Sequence, residues 1–559
     1  MLFSSLFAKT AEYEKLAHAL SAPGACALFG LPGSGRAMVY AALAKETGRF
    51  LCIVTPGEAE ASRFAGDLNA LGIPTAVFPA RDYVLRPIEG TAREYEYRRL
   101  SVLGDIVGGR LQAVCVPDEG LTQYTTPRAE FCNNTRTLHP GDTVPRTELT
   151  ALLYNAGYAR RAQVDGPGQF SIRGDIVDLY APDMKLPVRM EFWGDEIDTM
   201  HTFDLATQRR EDPIEKIYVS PAREVLFGSP AEAAELLRAF IKKFRGKKRT
   251  ALEACLATEL AQLDGGALPV NMDKYLAVRY PQPATLLDYF DDPLLVLEEP
   301  ASLREAERAT TYRRGEEISA LLQDGVLAAG LDNLYAEDGY LWAQAANHRT
   351  ICAENFARSM PDIPLKDIVN APAHTLPAWG GEVTSLLEDL QPLCNGCSAV
   401  TVLAGPQRAA AGLAADLRTK GLLVTTDPDA APGAGLVQVL PGQLSAGCSV
   451  PFAKYALFTA RAFGISSTQK KKKRNKDALN SLSEIAVGDL VVHQNHGIGR
   501  YAGIQRMAVQ GVTKDYLRIE YDKKDVLYVP VTQLDLLSRY TAPNDSDNVK
   551  LSRLGGSDW

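Results

Sequence analysis

The chain has 559 residues, 46% hydrophobic and 23% charged, the balance of a globular protein long enough for several buried cores. Its 60 basic and 68 acidic side chains leave a net charge of −8, which excludes a protein that coats nucleic acid with its whole surface. No apolar run reaches the ~18 residues of a membrane span, the start MLFSSLFAKTAEYEKL lacks the basic region and apolar core of a secretion signal, and nine scattered cysteines form no disulfide framework, so the cytoplasm is the expected compartment.

From the N-terminus to Val116, apolar runs alternate with helix-forming segments. Ala25–Phe29 (ACALF) reads as a buried strand, followed by a Gly-rich turn and a helix over Arg36–Thr47. Phe50–Val54 is a second strand, Glu58–Leu71 a helix, Ala76–Pro79 a third strand, Thr91–Val107 a helix and Leu111–Val116 another strand. This alternation predicts a parallel sheet with crossover helices. From Phe131 to Val219, turn signals (HPGD, GPGQ, RGD, WGDE) separate short strands at Phe170–Arg173, Ile176–Tyr180 and Pro187–Trp193, a small mainly-β module. In the last strand Val188, Met190 and Phe192 share one face, and Arg189, Glu191 and Trp193 share the other. Helical composition returns over Ala231–Arg245 and Arg249–Leu263, followed by a strand at Leu294–Leu297 and a long charged helix over Ala301–Leu322. Residues 371–460 read as a small α/β unit, with helices at Glu382–Leu390 and Gln407–Lys420 and strands at Ala399–Leu403, Leu436–Leu440 and Ala456–Thr459. The basic run Lys470–Lys476 repels itself and reads as a linker. Asp489–His493, Gly499–Val509, Asp515–Tyr521 and Val526–Val531 then alternate with turns, which predicts a small barrel.

The turn Gly30-Leu-Pro-Gly33-Ser-Gly35-Arg36-Ala37 follows a strand and precedes a helix, the context of a phosphate-cradling P-loop. Its two chemical positions depart from the pattern. Arg36 stands where Lys would meet a phosphate, and Ala37 where a hydroxyl would hold Mg²⁺. The expectation is a degenerate nucleotide loop that keeps its glycines for backbone geometry and hydrolyses nothing. No acidic partner for the loop is legible. Asp118 and Glu119 follow the strand-breaking Pro117 and read as the start of a helix whose dipole they complement. Cys394 and Cys397 form a lone C-x-x-C without further zinc ligands nearby, and His493 and His496 flank a turn. Neither a catalytic nor a metal site is expected.

Two stretches carry a family resemblance. Gly166–Asp178 (GPGQFSIRGDIVD), Pro187–Asp198 (PVRMEFWGDEID), Phe203-Asp204 and Thr207–Arg209 resemble domain 2 of the excision-repair protein UvrB and its counterpart in the bacterial transcription-repair coupling factors, the Mfd family. Gly488–Tyr501 (GDLVVHQNHGIGRY), Asp515–Leu517, Leu527–Val531 and Leu537–Tyr540 resemble the CarD-like, polymerase-interacting domain of the same family. Lys550–Trp559 is similar to the segment that leads into that family's translocase motor.

The resemblance implies an α/β multidomain chain. Residues 1–130 would be a UvrB-like domain 1a carrying the degenerate P-loop on a parallel sheet, 131–219 an inserted, mainly-β, UvrA-binding domain 2, and 220–370 domain 1b. A small α/β domain 3 (371–460), a basic flexible linker (461–483) and a CarD-like domain with a Tudor- or SH3-like barrel (484–548) would follow, and 549–559 would begin the connection to a motor. It further implies UvrA binding through Arg173, Arg189 and Trp193. Arg beside an exposed aromatic is the usual make-up of an interface anchor. An edge strand over Ile504–Val509, with Ile504, Arg506, Met507 and Val509, would pair with the β subunit of RNA polymerase. The implied protein is a monomer that recruits partners and carries no cofactor. ATP, Mg²⁺ and most DNA contact would belong to motor domains absent from this chain. The rival readings are a UvrB-type P-loop ATPase or helicase, and a stand-alone CarD-like transcription regulator whose front half is vestigial.

Overall fold

A computed structural model describes residues 10–86, 93–360, 363–379, 382–396, 398–431, 433–460, 488–493, 497–509, 512–522, 525–530 and 537–539. The chain divides into two units, residues 1–465 and 466–559. In the first, short apolar runs form the strands β1 (Gly24–Phe29), β2 (Leu51–Thr55), β3 (Thr75–Val77) and β4 (Ala113–Pro117). All but β3 are buried along their whole length, as expected of strands covered by helices on both faces. The crossover helices are Gly33–Thr47, Glu58–Ala70 and Glu94–Val107.

After β4 the chain leaves this sheet. Strands β5 (Arg136–Leu138) and β12 (Ile217–Val219) pair with each other and bracket a second, six-stranded sheet. That sheet holds β6 (Ala159–Arg160), β7 (Gln169–Arg173), β8 (Ile176–Tyr180), β9 (Val188–Trp193), β10 (Glu196–Phe203) and β11 (Arg210–Pro213), in the order β11-β10-β9-β8-β7-β6. Its inner face packs Phe170, Val177, Leu179, Val188, Met190 and Phe192 into a core of its own. Sequence periodicity predicts β7, β8 and β9 within a residue, because alternation is sharp where one face is buried and the other wet.

Helices Pro230–Lys242 and Gly246–Asp264 form a hairpin with a third core around Leu237, Ile241, Leu252 and Leu256. Buried ion pairs tie this segment back to the first sheet: Arg81 meets Asp273 through two bonds of 2.7 and 2.9 Å, and Arg99 meets Glu224 at 2.7 Å. Strands β13 (Leu294–Glu298), β14 (Arg349–Glu354) and β15 (Leu365–Asn370) then return to complete the first sheet. Its order is β15-β1-β14-β13-β2-β4-β3, with every pairing parallel. The helix Pro300–Gln323 matches the long charged helix expected from composition.

Strands β16 (His374–Leu376), β17 (Ala399–Leu403), β18 (Leu423–Thr425), β19 (Leu436–Leu440), β20 (Gly447–Val450) and β21 (Tyr455–Thr459) form a mixed sheet, β16-β20-β21-β17-β19-β18. One face carries helices Val383–Asn395 and Gln407–Thr419. The other face joins the core of the first sheet, where Leu444, Cys448, Val450, Tyr455 and Leu457 pack with the helix Gly33–Thr47. Asp67, 1% exposed, clasps this seam by accepting from Ser445 N–H and Ser445 Oγ at 2.6 Å each.

The second unit is an antiparallel sheet of β22 (Leu490–His493), β23 (Gly497–Val509), β24 (Val512–Glu520), β25 (Val526–Pro530) and β26 (Leu537–Arg539), in the order β25-β24-β23-β22-β26. Val491, Tyr501, Leu517, Ile519, Tyr521 and Val529 make its core. Among the described residues no pairing joins β25 to β26. The basic run Lys470–Lys476 and the segment Lys550–Trp559 lie outside the described residues.

Candidate functional site

The strand β9 presents the charged face that its alternation predicts: Val188, Met190 and Phe192 are buried, while Arg189, Glu191 and Trp193 point the other way. A two-residue turn, with Gly194 at φ 64°, joins β9 to β10 and sets Trp193 opposite Glu196. Gly supplies this left-handed position without steric cost. Trp193 is 83% exposed, more than any other large apolar side chain among the described residues. An indole left in water at the tip of a hairpin contributes little to its own fold, and aromatics of this kind are the commonest anchors of interfaces.

The two arginines depart from the expected picture of a free trio. Asp178, fully buried on β8, stands in register with Arg189 on β9. It accepts from Arg189 Nε at 2.7 Å and Nη2 at 3.0 Å, and from Arg173 Nη2 at 2.6 Å. Arg189 Nη1 also donates to the Gln208 carbonyl at 3.2 Å, and its guanidinium lies 4.7 Å from the Phe203 ring centre. Gln208 takes a left-handed φ of 58° at the turn that aims this carbonyl. The hydrogen bonds to Asp178 raise the pKa of Arg189 above its ordinary value. As a result the Arg189 side chain is only 12% exposed, against 48% for Arg173. Trp193 and Arg173 are accessible, whereas Arg189 is held in the sheet face. Asp178 and Gln208 fall within the stretches that carry the resemblance, but their contacts with Arg189 are not legible in the sequence, because they depend on hairpin register and on a turn carbonyl.

The Gly-rich turn is closed by its own charges. Gly30 adopts φ 91°, and the helix begins at Gly33, so that the N–H of Arg36 donates to Pro32 O at 2.9 Å. Arg36 is 2% exposed. Its Nη2 lies 3.2 Å from Glu298 Oε2 and its Nη1 2.8 Å from Glu299 Oε1. Tyr40 Oη donates to Glu298 Oε1 at 2.6 Å. Burial, the largest influence, lowers the pKa of Arg36, but Glu298, Tyr40 and Glu299 together outweigh it, and the guanidinium stands above its usual value. Burial also raises Glu298, against the pull of Arg36 and Tyr40. A side chain added at Gly33 would meet the Arg63 guanidinium. A nucleoside triphosphate with Mg²⁺ does not fit these residues: the cation that would meet the phosphates is already paired, and the position of the metal-holding hydroxyl is the buried methyl of Ala37. Gly35 follows within the same helix.

This geometry corrects the expectation that the loop has no acidic partner. The partner is Glu298-Glu299, at the end of β13, and not Asp118-Glu119. The latter pair opens the helix Asp118–Thr122, as its place after Pro117 predicts. Burial, with a further contribution from Glu307, pushes the Asp118 carboxyl up to about 7.

In the second unit, Ile504–Val509 forms the distal half of β23. It pairs on one side with β24, Ile504 facing Leu517 and Val509 facing Val512. β22 covers only Gly497–Arg500, so among the described residues no strand lies on the other edge of 504–509. The ladder shifts between Tyr501 and Ile504, with Gly503 at φ 109°. The side chains of Ile504, Arg506, Met507 and Val509 lie outside the described residues, as do His496 and Cys397. Cys394 lies in the last turn of the helix Val383–Asn395. Among the described residues, no three His, Cys, Asp or Glu side chains gather as metal ligands, and no helix is long and apolar enough to cross a membrane.

Two family models match parts of this chain. Residues 137–225 match the UvrB interaction domain, and residues 485–541 match the CarD-like/TRCF RID domain. The chain is 29% identical over 548 residues to the transcription-repair-coupling factor of Bacillus subtilis (strain 168), covering 95% of this chain and 46% of that protein. It is 26% identical over 551 residues to the factor of Staphylococcus haemolyticus (strain JCSC1435), with the same shares. The factor of Staphylococcus aureus (strain MRSA252) is 26% identical over 548 residues, again with 95% and 46% covered. The chain thus spans about half the length of the curated relatives it matches, and corresponds to their N-terminal part. The resemblance read from the two sequence stretches is borne out.

Proposed function

We propose that this chain is the recruiting part of a transcription-repair coupling factor, holding RNA polymerase through residues 484–548 and UvrA through residues 131–219. The observation that carries this reading is Trp193, 83% exposed at a hairpin tip beside the accessible Arg173, within the stretch that matches the UvrB interaction domain. In this reading Trp193 and Arg173 touch UvrA, and Arg189, clamped on Asp178, fixes the surface between them. The open edge of Ile504–Val509 supports strand addition to the polymerase β subunit, with main-chain hydrogen bonds supplying affinity. Residues 1–130, 220–370 and 371–460 serve as the frame, corresponding to domains 1a, 1b and 3 of the family.

The mechanism is recruitment without bond chemistry in this chain. The pairing of Arg36 with Glu298 and Glu299 speaks against the ATPase or helicase reading. In the family, ATP-driven translocation on DNA belongs to motor domains beyond the part that this chain matches. The test is UvrA binding by the purified chain, wild type beside Trp193→Ala. Binding by the wild type that the substitution removes is the expected result. A folded wild type that does not bind UvrA would overturn the repair half of the proposal and leave the polymerase-binding reading.

A further inference from the structure

The hairpin of helices Pro230–Lys242 and Gly246–Asp264 ends in a charge cluster that the proposed functions do not use. Lys242, Lys243, Arg245, Lys247, Lys248 and Arg249 are six cations in eight positions, without one acid, in a chain of net charge −8. All six are exposed. Arg249 pairs with Glu253 at 2.8 Å, and the other five make no ion pair with a described residue. Lys243 Nζ lies 5.9 Å from the centre of the Phe240 ring.

Helix chemistry does not account for this placement. Lys242 at the end of the first helix suits its dipole, but Lys247, Lys248 and Arg249 sit in the first turn of the second, where backbone N–H groups already carry positive charge and acids are favoured. That turn holds no acid, and its N-cap, Arg245, makes no side-chain capping bond. Six like charges also repel one another. A local rule broken without structural gain is the mark of a functional surface. The turn is firmly held: Phe240 and Phe244 meet edge to face, 5.2 Å between ring centres, and both rings close over Gly330.

We propose that this turn is a binding surface for the phosphate backbone of duplex DNA, independent of the polymerase and UvrA faces. The cluster has the charge for phosphates and lacks what other partners need. Phe240 and Phe244 turn inward onto Gly330, so no exposed ring offers stacking to an unpaired base. No large apolar side chain among the cations is exposed to enter a bilayer or to anchor a protein interface. Cations without base-reading groups give binding that is indifferent to sequence and steep in salt.

The test is anisotropy titration of a labelled duplex with the full chain, at several salt concentrations and with two unrelated sequences. Wild type is compared with the variant Lys242→Gln, Lys243→Gln, Lys247→Gln, Lys248→Gln. Both proteins are also made with Lys470–Lys473 changed to Gln, so that the charge of this second basic run does not contribute to the comparison. The lysines are exposed, so the thermal unfolding curve should not move. The expected result, in both backgrounds and on both sequences, is at least tenfold weaker binding at low salt. The salt slope should fall by about 3 to 4, near 0.9 for each cation removed. Affinity and slope unchanged by the four substitutions would overturn the proposal, as would a loss confined to one duplex sequence.

Discussion

Replacing Arg189 by Ala and replacing Trp193 by Ala should separate the two roles that one strand face combines. Arg189→Ala removes two charge-assisted bonds from the buried Asp178, at 2.7 and 3.0 Å, and the contact with Phe203. Leaving a buried charge without its partner costs about 3–5 kcal/mol. Arg173, at 2.6 Å, still neutralises Asp178, so the lower end, about 3 kcal/mol, is the expected loss of stability. Trp193, 83% exposed, should change stability by less than about 0.5 kcal/mol when truncated. For UvrA the order reverses in purity: Trp193→Ala should weaken binding by about 2 kcal/mol, roughly thirtyfold, with the fold intact. Urea unfolding of each variant, read beside its UvrA affinity, makes the comparison. Adding Asp178→Asn to Arg189→Ala should recover part of the lost stability, because the uncompensated carboxylate is gone. The reasoning fails if Arg189→Ala leaves the unfolding midpoint in place, or if Trp193→Ala lowers it by as much as Arg189→Ala does.

Four further outcomes can be measured. Arg36→Ala strands Glu298 in the interior and should destabilise the first unit by about 3 kcal/mol in chemical denaturation; the repair of the loop by Arg36→Lys with Ala37→Thr should still yield no ATP turnover, since Glu298 and Glu299 remain to capture the lysine, and turnover near 1 s⁻¹ would contradict this. Asp118, pushed up to about 7 in the folded chain against about 3.9 when unfolded, takes up a proton on folding between those values, so its ionisation opposes folding progressively as pH rises from about 4 to about 7. Asp118→Asn should therefore raise stability above pH 7 and change it little near pH 4, and an equal effect at both would refute the assignment. Met507→Arg, on the open half of β23, should weaken polymerase binding at least tenfold while the far-ultraviolet circular dichroism is unchanged; loss of the β signal would place the residue in a structural role.

Local pattern carried much of the architecture. Leu294–Leu297 reads as a strand from four apolar residues, and β13 lies there. Yet the chemistry at its end was hidden: Glu298 and Glu299 are 262 and 263 residues from Arg36 in sequence, and only the parallel order β1-β14-β13 brings them to the loop. Arg189 shows the same limit. Alternation puts it on the outer face of β9, but its low exposure depends on Asp178, a register partner across the sheet, and on the Gln208 carbonyl. β10 follows the legible WGDE turn, yet its span Glu196–Phe203 (EIDTMHTF) mixes polar and apolar residues and gives no crisp alternation. β14 (RTICAE) and β15 (LKDIVN) are short, each carries two charged residues, and both gain their strand character from the neighbours they pair with in the sheet.

The shared core between the first sheet and the module of residues 371–460 sets the limits of dissection. Ser34 to Ala44 are buried without interruption along one helix, which is possible only because β20 and β21 roof the side that the first sheet leaves bare. A truncation ending at residue 370 would strip that roof and expose alanine and leucine surface prone to self-association. The smallest soluble fragment of this unit therefore runs at least from the helix Ala11–Ala19 through Thr459. A protease that nicked the chain between the two sheets would leave both pieces bound together.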